Sequence, residues 1–158
     1  MNGGKLEITS RSPEETGALA HALAPLLAPG DVILLTGDLA AGKTCFVKAL
    51  GAALGVKDLI TSPTYAIADF HDCNDGQLLH VDAYRLESIE EYRDLGLEDF
   101  YDRCITVVEW GQKVAGEFSS FLQLDFHFRG TEGSGRTIAL SGSGPEWEER
   151  IAKLKEAM

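Results

Sequence analysis

Basic side chains are scarce in this sequence, and acidic ones are abundant. The 158 residues include 14 Lys and Arg against 25 Asp and Glu, which gives a formal net charge of −11 at pH 7. A surface that grips nucleic acid or anionic lipid needs clustered Lys and Arg to displace condensed counterions. The composition therefore argues against direct binding to nucleic acid or membranes, and a role in nucleic-acid metabolism would have to be indirect.

Cysteine is scarce as well, and long apolar runs are missing. Cys45, Cys73 and Cys104 are odd in number and form no C-x-x-C pair, so we expect neither a disulfide framework nor a zinc site. No basic N-terminal segment leads into an apolar run, and no apolar stretch approaches the length of a membrane span. We therefore expect a soluble, cytoplasmic protein with reduced thiols.

The apolar residues that are present predict a buried core with alternating strands and helices. Hydrophobic residues make up 44% of the chain, which suits a single domain spanning residues 1–158. Strands are expected at 5–9, 32–35, 66–71, 77–81, 104–108, 121–128 and 136–140. Helices are expected from Ser12 to Pro25, over 46–54 and 87–95, and from Glu146, and residues 60–65 are expected to form an exposed link.

One segment carries a specific binding motif. Residues 37–44 read Gly-Asp-Leu-Ala-Ala-Gly-Lys-Thr, which fits the phosphate-loop pattern G-x-x-x-x-G-K-[ST] between a predicted strand and a predicted helix. In this order, backbone N–H groups and the helix N-terminus surround a polyphosphate, Lys43 neutralises the β- and γ-phosphates, and the Thr44 hydroxyl ligates Mg²⁺. The residues expected to bind the nucleotide are Asp38, Leu39, Ala40, Ala41, Gly42, Lys43, Thr44 and Cys45.

Two carboxylates follow apolar strands and compete for a place at this site. Asp82 ends one predicted strand and Glu109 ends another, and open α/β sheets gather their binding groups at the carboxyl ends of strands. Glu109 follows the more apolar run and is assigned to the metal, directly or through water. Asp82, together with Lys43, is then assigned to catalysis, as the residue that positions or deprotonates the attacking water.

Other residues near these strands can be interpreted as either structural or functional. Trp110 is expected either beside the nucleotide or in the core, and His80 is expected to be structural rather than catalytic. The segment of Ser62, Pro63, Thr64 and Tyr65 is either a switch loop that senses the γ-phosphate or an ordinary surface turn.

Several functional classes fit a phosphate loop. A guanine-reading Asn-Lys-x-Asp motif is excluded, because Asn2 and Asn74 are the only asparagines and neither precedes a lysine. A small-metabolite kinase stays open, although the arginines are too scattered to indicate a lid. A non-catalytic nucleotide sensor that docks a partner in one nucleotide state also stays open.

Four motifs occur in an order that resembles a known family. They are the loop Gly37–Thr44, Ser62-Pro63-Thr64-Tyr65, His80-x-Asp82-x-Tyr84-Arg85 and Val108-Glu109-Trp110. Together they resemble the TsaE (YjeE) family, ATPases required for threonylcarbamoyladenosine modification of ANN-decoding tRNAs in bacteria.

The resemblance implies a fold, partners and site roles. The fold is expected to be an α/β phosphate-loop domain with a mixed, mostly parallel central sheet flanked by helices. The implied partners are the TsaD and TsaB proteins, with ATP or ADP and Mg²⁺ as cofactors and a slow ATPase activity that these partners activate. Thr44 and Glu109 match the family's magnesium positions, Asp82 its proposed catalytic aspartate, and residues 62–65 its switch-like loop.

Two residues depart from the family's usual loop, Gly-Asp-Leu-Gly-Ala-Gly-Lys-Thr-Thr. Ala40 replaces a glycine, which costs roughly 1 kcal/mol if that position needs a positive φ. Cys45 replaces a threonine, and a thiol is a poor hydrogen-bond donor on the α-phosphate side. We expect weaker or altered nucleotide handling rather than none.

Overall fold

One mixed β-sheet runs through the centre of the protein. The computed structural model describes residues 4–37, 42–61, 68–129 and 135–158. Within these residues, seven strands join in the order β1-β7-β6-β2-β5-β4-β3. The strands are β1 (Lys5–Ser10), β2 (Val32–Gly37), β3 (Ala68–Asp72), β4 (Gln77–Asp82), β5 (Cys104–Glu109), β6 (Phe121–Arg129) and β7 (Gly135–Ser143).

The pairing of these strands confirms the predicted mixed α/β sheet. Strand β2 pairs in parallel with β5 and β6, and β5 pairs in parallel with β4. Antiparallel pairs extend the sheet on both sides, β3 on β4 at one edge and β7 and β1 beyond β6 at the other. The parallel centre follows from sequence, because β2 and β5 are apolar on both faces and require cover on both.

Within the described residues, three helices cover one face of the sheet. They are α1 (Pro13–Leu23), α2 (Lys43–Ala53) and, nearer the β1 edge, α4 (Glu146–Ala157). Fully buried side chains from each helix, Leu19, Phe46 and Trp147 among them, pack in one cluster with the inward residues of β2, β5 and β6. Ser12 caps α1 as predicted, and the helix gives way to a 3₁₀ turn that contains Pro25.

The other face carries short elements that the sequence pattern did not fully predict. Helix α3 spans Ile89–Asp94, shorter than the predicted 87–95, because the Ser88 side chain caps it by accepting the N–H of Glu91. Three 3₁₀ segments, at Leu97–Arg103, Gly111–Lys113 and Ala115–Glu117, complete this layer. Tyr92 anchors the second apolar cluster beneath them.

The segment after α2 corrects one prediction. Ile60, expected in an exposed link, is buried in the helix-side core at 5% exposure. Its side chain lies so close to Gly51 of α2 that a Cβ there would come within 2.2 Å of Ile60 Cδ1. The predicted switch residues Ser62, Pro63, Thr64 and Tyr65 lie outside the described residues.

Gly111 provides a test of the packing that shapes the end of β5. A Cβ on Gly111 would lie 2.5 Å from Leu34 Cβ and 2.9 Å from Leu34 Cα, so backbone would have to move. We expect Gly111→Ala to lower the free energy of unfolding by about 1–3 kcal/mol, as overpacking of a core does. Urea denaturation measures it.

The matched control is Gly17→Ala in α1. There an added Cβ meets only Ala49 Cβ at an ordinary 3.8 Å. Alanine is favoured over glycine inside a helix, so Gly17→Ala should stabilise by roughly 0.5–1 kcal/mol. Equal effects of the two substitutions would contradict the close packing of Gly111 on β2.

Candidate functional site

Two glycines in left-handed conformations bracket the predicted phosphate loop. Gly37 ends β2 with φ 131°, and Gly42 precedes α2 with φ 105°. At Gly37 a Cβ would lie 2.4 Å from the carbonyl oxygen of Phe126 on β6, so a side chain has no room there. The predicted binding residues Asp38, Leu39, Ala40 and Ala41 lie between these glycines, outside the described residues.

Lys43 opens α2 with its ammonium turned back toward the end of β2. The residue is only 4% exposed, and Nζ donates a hydrogen bond of 2.6 Å to the Gly37 carbonyl. Nζ also lies 3.8 Å from the centroid of the Trp110 ring, within the range of a cation–π interaction. The cation is therefore held at the junction of β2, α2 and the end of β5.

Thr44, Glu109 and His80 form a continuous hydrogen-bonded chain. Thr44 Oγ1 donates to Glu109 Oε1 at 3.0 Å, and the other carboxylate oxygen lies 2.6 Å from His80 Nε2. Glu109 is 4% exposed and His80 is fully buried. These hydrogen bonds connect the first turn of α2 to β5 and β4. They bring the two predicted metal ligands, Thr44 and Glu109, into direct contact.

Asp82 lies beside Glu109 at the carboxyl edge of the sheet. The two residues are register partners at the ends of β4 and β5. Asp82 is half-buried, and its Oδ1 accepts the backbone N–H of Tyr84 at 3.0 Å, which starts the turn that leaves β4. The two predicted carboxylates are thus brought together at one edge.

Trp110 has a strained backbone conformation and joins two further residues to the site. It is the non-glycine residue with positive φ, 60°, among those described, and such strain tends to concentrate at functional sites. Its ring packs against Tyr84 at 5.2 Å between centroids. Lys113 Nζ donates to the carbonyls of Tyr84 at 2.6 Å and Leu86 at 3.3 Å, holding that turn over the indole. Trp110 therefore both packs and faces Lys43.

A cavity of about 240 Å³ adjoins the N-terminus of α2. Its lining includes Ser10, Ser12, Thr16, Gly42, Cys45 and Arg136. Ser10 Oγ and Thr16 Oγ1, both buried, share a hydrogen bond of 2.6 Å. Sequence reasoning missed this cavity because most of its lining comes from β1, α1 and β7, which carry no motif; the cap at Ser12 was the available signal.

A larger cavity of about 690 Å³ lies away from this site. Its lining runs from Gly55 to Asp58 and along the β3–β4 hairpin from Phe70 to Gln77. Gln77 begins β4 while Asp82 ends it, so this cavity faces the opposite edge of the sheet. Size alone does not select the functional site, because Lys43, Thr44 and Glu109 converge at the N-terminus of α2, away from this larger cavity.

The donors at Thr44 and Glu109 suit a magnesium ion. Mg²⁺ prefers oxygen ligands and commonly takes one or two protein side chains, with phosphate and water completing its octahedron. Thr44 Oγ1 and Glu109 Oε1 are two such oxygens, 3.0 Å apart. Within the described part of the chain there is no cluster of three or more His, Cys, Asp or Glu that would form an all-protein metal site.

The fold and site together define an α/β protein whose functional groups meet where a strand–glycine–helix unit borders the carboxyl ends of two parallel strands. The family model described as Threonylcarbamoyl adenosine biosynthesis protein TsaE matches residues 10–138. The chain belongs to this family, as the resemblance predicted.

Individual relatives agree with this membership. The chain is 41% identical over 120 residues to the tRNA threonylcarbamoyladenosine biosynthesis protein TsaE of Treponema pallidum, covering 73% of this chain and 86% of that protein. The protein of the same name from Streptomyces coelicolor is 39% identical over 135 residues, 82% of this chain and 91% of that one. A crystal structure of Bacillus subtilis YdiB superposes with a TM-score of 0.82 at 29% identity, covering 99% of this chain and 97% of that chain.

No described helix is long and apolar enough to cross a membrane. All three cysteines are free thiols, Cys104 buried and the other two partly exposed.

Proposed function

We propose that this protein binds ATP with Mg²⁺, hydrolyses it slowly, and uses this turnover in threonylcarbamoyladenosine modification of tRNA through the TsaB and TsaD proteins. The observation that carries the proposal is the 3.0 Å contact between Thr44 and Glu109, formed across 65 residues of sequence. A loop hydroxyl and a strand-end carboxylate in contact are the two protein contributions that a phosphate-loop magnesium site requires. Family membership supports the tRNA-modification role.

Lys43 is suited to hold the phosphates. Its ammonium is buried and held between the Gly37 carbonyl and the Trp110 ring, beside the first turn of α2. A β- or γ-phosphate oxygen would replace the neutral carbonyl as acceptor, and a charge-assisted hydrogen bond is about twice as strong as a neutral one. The N-terminus of α2 adds its partial positive charge at the same place.

Mg²⁺, when bound, supplies charge neutralisation between the phosphates, and the chain's own residues hold it. Thr44 donates its hydroxyl hydrogen to Glu109, which leaves the lone pairs of Oγ1 for a cation. Asp82, one strand over, is the carboxylate we assign to orienting or deprotonating the attacking water. Its Oδ1 contact with the Tyr84 N–H limits the directions in which the carboxylate can point.

The 240 Å³ cavity is the place we assign to the nucleoside end of the ligand. It begins at Gly42 and Cys45, the residues on the α-phosphate side of the loop, and continues to the polar groups of Ser10 and Thr16. Cys45 presents a thiol where the family usually has a hydroxyl, so we expect a weaker hold on the α-phosphate.

Two features support the TsaB and TsaD proteins as partners: the acidic surface and the predicted switch segment. A net charge of −11 favours docking to proteins and leaves contact with tRNA indirect. The described flanks of residues 62–65 are tied together, because His71 Nδ1 lies 2.7 Å from Asp58 Oδ2. This hydrogen bond holds the pKa of Asp58 below its usual value. A segment with anchored flanks is suited to respond locally to a γ-phosphate.

Lys43→Ala should weaken ADP and ATP binding by about 10- to 100-fold, because a hydrogen bond to a charged group contributes roughly 1.5–3 kcal/mol. Titration calorimetry measures the affinity. Lys48→Ala, an exposed lysine on the same helix, is the control and should leave affinity within about twofold. Wild-type affinity in folded Lys43→Ala would refute the phosphate-loop assignment.

Glu109→Gln and Asp82→Asn should fail in different ways. The first should raise the Mg²⁺ concentration needed for half-maximal binding about tenfold or more, since the ion loses the negative charge of its carboxylate ligand. The second should keep Mg-ATP affinity while lowering kcat about 100-fold, the scale of general-base catalysis. If the two phenotypes are exchanged, the assigned roles are reversed.

A non-hydrolysable ATP analogue should increase the affinity for the TsaB and TsaD pair about 5- to 150-fold over ADP, the usual range of allosteric coupling. Thr64→Ala should narrow this difference in partner affinity without changing the partner affinity measured with ADP, because its hydroxyl is proposed to act only on a γ-phosphate. Thr61→Ala, an exposed neighbour, should leave the difference intact. Calorimetry that gives equal affinities for both wild-type nucleotide states would remove the switch.

A further inference from the structure

His80 occupies a position where an apolar side chain would be expected. It lies in the middle of β4 and is fully buried. Leu78, two residues earlier on the same face, belongs to the helix-side core, as does Val107, its register partner on β5. An imidazole in this surrounding needs a reason other than packing.

The imidazole makes one hydrogen bond, and it goes to Glu109. Nε2 lies 2.6 Å from Glu109 Oε2, whereas Nδ1 is buried with no hydrogen-bond partner among the described residues. A buried polar atom left unsatisfied costs roughly 1–3 kcal/mol. Leucine at this position would avoid that cost, so the contact with Glu109 is what the histidine contributes.

The direction of the hydrogen bond follows from the chemistry of the two groups. An ionised carboxylate can only accept, so Nε2 carries the hydrogen. Glu109 then accepts from His80 through Oε2 and from Thr44 through Oε1. With both oxygens fixed, the carboxylate cannot rotate away from the Thr44 hydroxyl.

We propose that His80 is a positioning residue for the metal site: it holds Glu109 so that Oε1 and Thr44 Oγ1 present a preformed pair of oxygens to Mg²⁺. This inference rests on the proposed function and goes beyond the expectation that His80 is merely structural. Hydrogen bonds from outer residues to ligating carboxylates orient the ligands, and losing one typically costs about 10- to 100-fold in metal affinity.

The test compares His80→Gln with His80→Asn. The amide nitrogen of glutamine reaches about as far as Nε2 and replaces the donor, whereas that of asparagine stops near the position of Nδ1. Mn²⁺ binding to the ADP complex is measured by electron paramagnetic resonance, and ADP affinity is measured separately in excess chelator. His80→Asn should lose about 10- to 100-fold in Mn²⁺ affinity and His80→Gln less than about fivefold. Metal-free ADP affinity should stay at the wild-type value in both.

A second comparison separates action through Glu109 from a general effect on the fold. In a Glu109→Gln background, His80→Asn should reduce Mn²⁺ affinity no further, because the two residues act as one unit. His71→Asn is the matched control: His71 is also buried and faces the same side from β3, but its partner is Asp58. It should leave Mn²⁺ affinity unchanged in either background.

Each outcome supports or overturns a specific claim. Equal Mn²⁺ affinity in His80→Asn and His80→Gln, or an additive loss in the Glu109→Gln background, would overturn the positioning role. Parallel losses of Mn²⁺ and metal-free ADP affinity would overturn it too, by showing a structural effect. If the wild-type protein binds no ADP with or without metal, the proposed function itself is refuted. This result is distinct from a failure of the positioning role, because it is measured without any variant.

Discussion

The buried carboxylate of Glu109 constrains most of the site. At 4% exposure, a charged carboxylate needs hydrogen-bond donors, since an unpaired buried charge is strongly destabilising. It takes one donor from Thr44 on α2 and one from His80 on β4. The same two bonds therefore satisfy the charge, fix the first turn of α2 against the sheet, and set where Lys43 can point. The geometry of the glycine loop's two ends depends on this arrangement, because α2 begins at the residue after Gly42.

The layer on the opposite face of the sheet supports the same centre. After β5 the chain turns through the positive φ of Trp110, and Gly111 passes directly over Leu34 of β2. This close passage places the indole against Lys43 Nζ and beneath the Tyr84 ring. A bulkier residue at Gly111 would lift the turn and move the indole with it. The packing of Gly111 on this face of the sheet therefore positions the Trp110 ring beside Lys43, a residue of α2 on the other face.

The protein's overall charge opposes the polyphosphate ligand that we propose, and local structure resolves the conflict. A chain with a net charge of −11 repels anions at long range. At physiological ionic strength the Debye length is about 8 Å, so distant surface carboxylates are largely screened. Lys43 and the N-terminus of α2 act at contact distance, where screening is weak. Attraction for the proposed phosphate ligand is therefore confined to one small region, while the remaining acidic surface disfavours direct contact with nucleic acid.

The sequence by itself determined the local elements, the α/β class and the family. Apolar runs predicted the strands at 32–35 and 104–108, and the motifs from Gly37 to Trp110 indicated the family. It did not determine that Asp82 and Glu109 are register partners, that His80 serves Glu109, or that β1, α1 and β7 enclose a cavity beside α2. The loop residues 38–41 and the segment 62–65 stay predictions. Local patterns report periodicity over a few residues, whereas the decisive contacts join residues 65 and 29 positions apart. Only the folded sheet, through its register and its helix packing, brings such groups within hydrogen-bond distance.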